Sequence, residues 1–331
     1  MKAEEFGIGM VGLGGIANVH LEAYQGEGLR VVGGADPDPA ARKAKEDRFG
    51  IATYDDAEEL AARDDVHVLD VTVPHEAEIR IPLMQRLVKH GKPIVLQKPV
   101  ANTHADALRI IEIAEEARVP LVVHHQSLFV PAFQAAHDLI QAGRIGDPYF
   151  CQIHNRGWWE FDHPIFGKNE RWVLASMGIH HLALLDYWFG AWQDVYAMMG
   201  RDAGQKCVQG DTWSVLNIRY ESGMRAMVQN NWSCRDDEAH NHPNEEVIVQ
   251  GDRGTLTVRG NEVSLRTDAG EERFDVTEKW FPHAFGRFMR AYLQSLAEGR
   301  PFVTEGRSNL RVVGLMDAAY RSAEQGRVVA A

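Results

Sequence analysis

Along the first 124 residues, short apolar runs alternate with segments whose apolar side chains recur every three or four positions. The runs at 6–11, 29–34, 66–73, 93–96 and 121–123 read as strands, and the segments near 15–26, 39–49, 56–62, 77–90 and 104–118 as helices. Several helices carry start and stop signals. Asp38 with Pro39 predicts an N-cap followed by a first-turn proline. Asp56 and Thr103 each precede an acidic residue at capping-box spacing, and Gly50 and Gly91 are natural stops. Pro82 predicts a kink or a later helix start. Strands apolar on both faces, alternating with helices, predict an α/β domain with a parallel sheet covered on both sides.

Beyond residue 125 the pattern changes. Longer runs at 149–155, 213–220, 224–231, 246–250, 255–258 and 263–267 alternate apolar with polar positions. Helical patterns lie near 131–142, 172–189, 283–298 and 307–324. This predicts an α+β domain whose largely antiparallel sheet is open on one face. The expected division is 1–124 and 125–331, with the C-terminal helix available to pack back on the first domain.

A length of 331 residues suits two cores rather than one. The net charge of −12, with Lys and Arg scattered, argues against nucleic acid and anionic membranes as partners. Cys151, Cys207 and Cys234 lack CxxC spacing, which argues against a disulfide framework or a cysteine zinc site. The N-terminus leads into a strand rather than a secretory apolar region, and no stretch approaches transmembrane length, so a cytoplasmic protein is expected. The open sheet face predicts a homodimer or homotetramer.

Candidate chemistry begins at Gly12-Leu13-Gly14-Gly15-Ile16-Ala17, directly after the first strand. The spacing G-x-G-x-x-A suits a dinucleotide loop. The first glycine permits the turn, the second admits a pyrophosphate, and the small third residue lets helix pack on strand. Asp36 ends the next strand, where a carboxylate accepts from the adenosine ribose hydroxyls and repels a 2′-phosphate. NAD is therefore favoured over NADP. Arg42 either turns toward the ribose or is a solvated helix charge. Gln97-Lys98-Pro99 follows the fifth strand, placing a cation beside the cofactor, where an ammonium stabilises a developing alkoxide.

Together these motifs resemble the Gfo/Idh/MocA oxidoreductases, which carry Glu-Lys-Pro where this chain has Gln97-Lys98-Pro99. The resemblance implies a Rossmann first domain and a substrate-binding second one. It implies that Thr72, Pro74 and His75 form the loop beside the nicotinamide, with Gln97 and Lys98 also at the cofactor. The family pattern Asp-x-Gly-x-His matches Ser176-Met177-Gly178-Ile179-His180, making His180 the implied acid/base and replacing the family's Asp with Ser176. On an α-helix Ser176 and His180 share a face, while His181 turns away to pack. Ile140–Pro148 and 250–256 resemble the family's entry to, and hairpin within, the second sheet. Gln-Lys-Pro combined with Met-Gly-Ile-His is similar to the D-apiose dehydrogenase subgroup.

Gln152, His154 and Arg156 share one face of a strand, with Trp158, Trp159 and His163 in the loop after it. Indoles suit sugar C–H surfaces and arginine suits a carboxylate, although both tryptophans equally suit an interface. His124, His125 and Gln126 end the sixth strand. Lys98, Gln126, His154, Arg156, Trp158, Ser176 and His180 are thus the substrate-binding candidates, and no metal is expected because the histidines lack close ligand spacing. The implied function is NAD-dependent oxidation of a secondary or hemiacetal hydroxyl of a sugar, polyol or sugar acid. The alternatives are an NADP-dependent reductase of a ketose or cyclic ketone, and a catalytically silent NAD- and sugar-binding sensor.

Overall fold

The computed structural model describes residues 2–160, 169–235, 244–278 and 280–331. The first part of the chain runs β1 (Gly7–Val11), α1 (Gly15–Gly26), β2 (Arg30–Ala35), α2 (Pro39–Phe49), β3 (Thr53–Tyr54), α3 (Ala57–Ala61), β4 (Val68–Val71), α4 (Ala77–Leu87), β5 (Ile94–Gln97), α5 (His104–Glu116) and β6 (Leu121–His124). The expected caps form: Asp38 accepts from the Ala40 N–H at 2.9 Å, Asp56 from Glu58 at 2.8 Å and Thr103 from Asp106 at 3.1 Å. Pro82 neither starts nor ends α4; it lies at the middle of the helix, where it removes one N–H bond.

These strands form one parallel sheet in the order β3-β2-β1-β4-β5-β6. The order reverses at β1, so the crevice at the carboxyl ends of β1 and β4 is the ligand edge of such a sheet. Gly12, Asp36, Thr72, Lys98 and His125 all follow directly from strand ends on that edge.

The chain continues through α6 (Pro131–Gln141), β7 (Pro148–Arg156), α7 (Ile179–Phe189), β8 (Trp192–Gly200), β9 (Trp213–Tyr220), β10 (Arg225–Asn231), β11 (Asn244–Gly251), β12 (Gly254–Arg259), β13 (Glu262–Thr267) and β14 (Gly270–Asp275). It closes with α8 (Phe285–Glu298), α9 (Gly306–Gln325) and β15 (Val329–Ala330). The second sheet runs β14-β13-β12-β11-β7-β10-β9-β8-β15, antiparallel except for β7 beside β10. Cys151, Ile153 and Asn155 are buried on its covered face, whereas Gln152, His154 and Arg156 lie half-buried on the other.

The chain forms two compact units. One comprises Met1–Phe129 with Trp280–Val313, the other Val130–Lys279 with Gly314–Ala331. The first crossing lies after Phe129, close to the boundary expected at 125, and the chain crosses twice more, after Lys279 and Val313. The physical reason is α8. Its Phe285, Phe288, Met289, Tyr292 and Leu293 are buried in the first unit's core against Ala17, Leu21 and Tyr24 of α1.

Candidate functional site

Gly12 takes φ +90°, and a Cβ there would meet Val73 Cγ1 and the Val73 backbone N, each at 2.9 Å. Only glycine makes this turn without strain. The loop is stitched to both neighbouring strands. The Gly12 N–H donates to the Ala35 carbonyl at 2.8 Å, and Thr72 Oγ1 donates to the Gly12 carbonyl at 2.6 Å. At exposed Gly14 and Gly15 an added Cβ would meet nothing within 4 Å. The start of α1, with Ile16 half-buried and Ala17 packed beneath it, thus presents backbone to open space. That fits a dinucleotide pyrophosphate, which helix N-terminal amides bind.

Asp36 is bound at both oxygens. Oδ2 accepts from the Leu13 N–H at 2.7 Å and Oδ1 from the Asp38 N–H at 2.8 Å. A carboxylate has about four acceptor sites, so capacity remains for ribose hydroxyls. Arg42 does not turn toward the carboxylate. Its Nη1 donates to the Asp36 and Pro37 carbonyls at 2.7 and 3.2 Å, bracing the turn.

Lys98 follows β5, and its bond to Pro99 is cis. The unforeseen residue here is Arg80, which is 1% exposed. Nε donates to the Pro74 carbonyl at 3.1 Å, Nη2 to Val73 at 2.9 Å, and Nη1 to Val100 at 2.9 Å and to Pro99. One guanidinium thus ties the loop after β4 to the loop after β5. A helical arginine reads as a solvated charge in sequence, and Pro82 nearby was the sole hint that α4 is unusual.

The electrostatics follow from this burial. Desolvation pushes Arg80 down to about 9 although Glu76 opposes it. Burial, then the Arg80 charge, lowers the half-buried Lys98 ammonium to about 7. Burial with Arg80 and Lys98 lowers His75 to about 3, and burial with Lys98 does the same to His125. Lys98 is therefore a cation that gives up its proton near neutrality, flanked by neutral imidazoles.

Two expected ligand contacts point inward instead. Gln97 is 5% exposed, with Oε1 accepting from the Lys98 N–H at 2.8 Å and Nε2 lying 3.0 Å from His20 Nε2. Gln126 is buried, its Oε1 3.4 Å from His124 Nδ1, and His124 stacks on Phe288 at 4.1 Å between centroids. Both side chains belong to the first unit's interior because apolar rings of α8 close over that end of the sheet.

In the second unit, Asp211 accepts from the Trp172 and Leu174 N–H groups at 2.7 and 3.0 Å and from the Tyr320 hydroxyl at 2.9 Å. Burial raises its carboxyl to about 6 against these bonds. They anchor a π-helical turn, Leu174–Gly178, that leads into α7. Ser176 lies within this turn and His180 in the first turn of α7. Ser176 is half-buried and His180 buried. A Cβ on Gly178 would meet Asn230 Nδ2 at 3.0 Å, so glycine lets this turn approach β10. His181 packs, as expected, through a buried pair with Glu245 at 2.7 Å.

His154 and Arg156 lie on the sheet face opposite that turn, since Asn230 and Glu245 pair with Asn155 and share its face. The structure therefore does not bring them together with His180. Trp158 carries the Arg235 guanidinium 3.7 Å from its ring, and Trp159 stacks on Trp232 at 4.8 Å. His163 lies outside the described residues. Among the described residues, no group of three or more His, Cys, Asp or Glu is placed to hold a metal, and no helix is long and apolar enough to cross a membrane.

Residues 6–125 match the oxidoreductase family with an NAD-binding Rossmann fold, and residues 133–257 match the GFO/IDH/MocA C-terminal domain. The chain is 27% identical to a D-apiose dehydrogenase of Paraburkholderia graminis, covering 97% of this chain and 88% of that one. It is 24% identical to an inositol 2-dehydrogenase of Rhizobium meliloti, covering 97% and 98%. In fold it resembles an Agrobacterium radiobacter oxidoreductase solved with NAD+, L-tartaric acid and magnesium (TM-score 0.89, 23% identity, 98% of each chain). Two matched domains with one glycine loop and one Lys-Pro loop leave a single assignment: the chain belongs to the Gfo/Idh/MocA family of oxidoreductases, and residues 6–125 are that family's NAD-binding Rossmann domain.

Proposed function

We propose that the protein is an NAD-dependent dehydrogenase oxidising a secondary or hemiacetal hydroxyl of a sugar, polyol or sugar acid. The observation that carries this reading is the conjunction, in one unit, of an open glycine loop and a half-buried ammonium at the end of β5. The relatives named for D-apiose and inositol support the substrate class. Preference for NAD over NADP rests on Asp36. Its carboxylate opposes a 2′-phosphate, and Arg42 is already engaged with carbonyls.

The chemistry that bound NAD supplies is acceptance of a hydride from the substrate carbon. Gly14, Gly15 and Ile16 would hold the pyrophosphate at the start of α1, and Asp36 the adenosine ribose. Thr72 would hold the glycine loop in shape. Lys98, as an ammonium, would donate to the substrate oxygen and stabilise the alkoxide. His180 would take the hydroxyl proton, with Ser176 a neutral hydrogen-bonding neighbour. The half-buried face of the nine-stranded sheet, with Tyr149 and Met198 exposed, would be covered in a homo-oligomer. A screen of sugars, polyols and sugar acids for cofactor reduction tests the reading. Activity with NAD on members of these classes is expected, and NAD binding without turnover on any of them would favour a silent sensor.

A further inference from the structure

At the centre of the first unit lies a polar cluster to which the reading above gives no role. Asp70 on β4 and His20 and Tyr24 on α1 are fully buried. His20 Nδ1 lies 2.7 Å from Asp70 Oδ2, and the Tyr24 hydroxyl donates to the same oxygen at 2.6 Å. Burial works to raise the Asp70 carboxyl, but His20, His124 and Tyr24 outweigh it and hold it below its ordinary value. On the other side of the imidazole stands Gln97, whose amide continues to the Lys98 peptide.

Donors and acceptors along this chain fit in one arrangement. A carboxylate only accepts, so His20 Nδ1 carries a proton. The Lys98 N–H needs an acceptor, so Gln97 presents its oxygen there and its NH2 to His20. His20 Nε2 is then the acceptor. An amide can offer a donor on one side and an acceptor on the other. A carboxylate at position 97 cannot.

We propose that Gln97 is a positioning residue for Lys98, its amide fastening the Lys98 peptide to the buried His20–Asp70 pair so that one tautomer of His20 fixes where the Lys98 side chain begins. Arg80 fastens the following residues through the Pro99 and Val100 carbonyls, so the loop is held on both sides of Lys98. The purpose of this holding rests on the dehydrogenase reading, while the hydrogen-bond chain stands without it. The groups facing His20 are Tyr24 on its own helix, Asp70 on β4, Gln97 on β5, His124 on β6 and the uncharged Phe285 on α8. The Arg80 charge acts on Lys98, and the Lys98 charge acts in turn on His75 and His125.

The test uses the full-length protein without substrate. In Gln97→Glu two acceptors face the His20 ring, which must take a second proton to bridge them. A histidine that gains a partner has its folded-state pKa raised above the unfolded value of about 6.5. Its contribution is present below that value and is lost as pH rises through the raised one. The melting temperature of Gln97→Glu should therefore fall further below wild type as pH rises from about 5.5 to 8.5. The pH midpoint for amine labelling of Lys98, read by peptide mass spectrometry, should rise by about a unit or more as a carboxylate joins the loop. Gln97→Met, of similar length but without hydrogen bonds, should release the Lys98 peptide and move the same midpoint toward that of an ordinary lysine. A melting offset in Gln97→Glu that is flat with pH overturns the tautomer argument, and a Lys98 midpoint unmoved in both variants overturns the positioning role. Neither readout involves turnover, so this proposal and the dehydrogenase reading can fail separately.

Discussion

The carboxylate of Asp36 accepts a hydrogen bond from the backbone N–H of Leu13 at 2.7 Å. One side chain thus shapes the glycine loop and places a negative charge that would oppose a 2′-phosphate. NAD should bind more tightly than NADP, by titration of each against the protein. Asp36→Ala should weaken NAD by about tenfold or more, the loss expected for a charge-assisted hydrogen bond, and should narrow the preference. NADP binding as tight as NAD would contradict the role given to Asp36.

Arg80 is the second point of leverage. Arg80→Met leaves the buried carbonyls of Pro99 and Val100, and the more exposed ones of Val73 and Pro74, without this donor. A loss of about 2–5 kcal/mol is expected, read by denaturant unfolding. Arg80→Lys should recover little, because an ammonium cannot reproduce the planar fork. Removing the Arg80 charge should also raise the pH midpoint of Lys98, since that charge helps to lower it.

The depressed value of Lys98 has a consequence for stability. Between about pH 7 and its ordinary value the unfolded chain holds a proton that the folded chain has released. Stability therefore rises with pH across this window through Lys98. Lys98→Met removes the cost of desolvating this charge, so the variant should melt above wild type at pH 6, with the difference shrinking toward pH 10. Because Lys98 is half-buried, the effect is screened and its direction is the prediction.

Most of the first unit was legible in the sequence because its strands are apolar throughout and its helices carry side-chain caps. The second unit was less so. β14 was missed because Gly270–Asp275 is largely exposed and carries no alternation. β8 has a register shift between Trp192 and Asp194 that breaks its period, and β3 and β15 are two residues each. In the candidate site, local motifs pointed to Gly12, Asp36 and Lys98, each directly after a strand of the first sheet. What escaped was set by tertiary packing. Arg80 reads as surface until its four carbonyls are seen, Gln97 turns inward, and the turn that carries Ser176 is π-helical rather than α-helical. Alternation correctly grouped His154 with Arg156, but it cannot say which face of a sheet is covered.

The exposed Tyr149 and Met198 predict self-association through the second sheet. Light scattering at micromolar concentration should give a dimer or tetramer, and Met198→Asp should shift it toward monomer. A monomeric wild type would contradict this.

The central claim is tested most directly by one comparison, once the cofactor-reduction screen has supplied a substrate. Turnover and NAD affinity are measured for wild type, Lys98→Met and His180→Ala. The account predicts that Lys98→Met loses roughly a hundred- to a thousand-fold in kcat. His180→Ala should lose about a hundred- to ten-thousand-fold, with NAD affinity nearly intact in both. Near-full activity in either variant across pH would contradict the role assigned to that residue, and near-full activity in both would contradict the account.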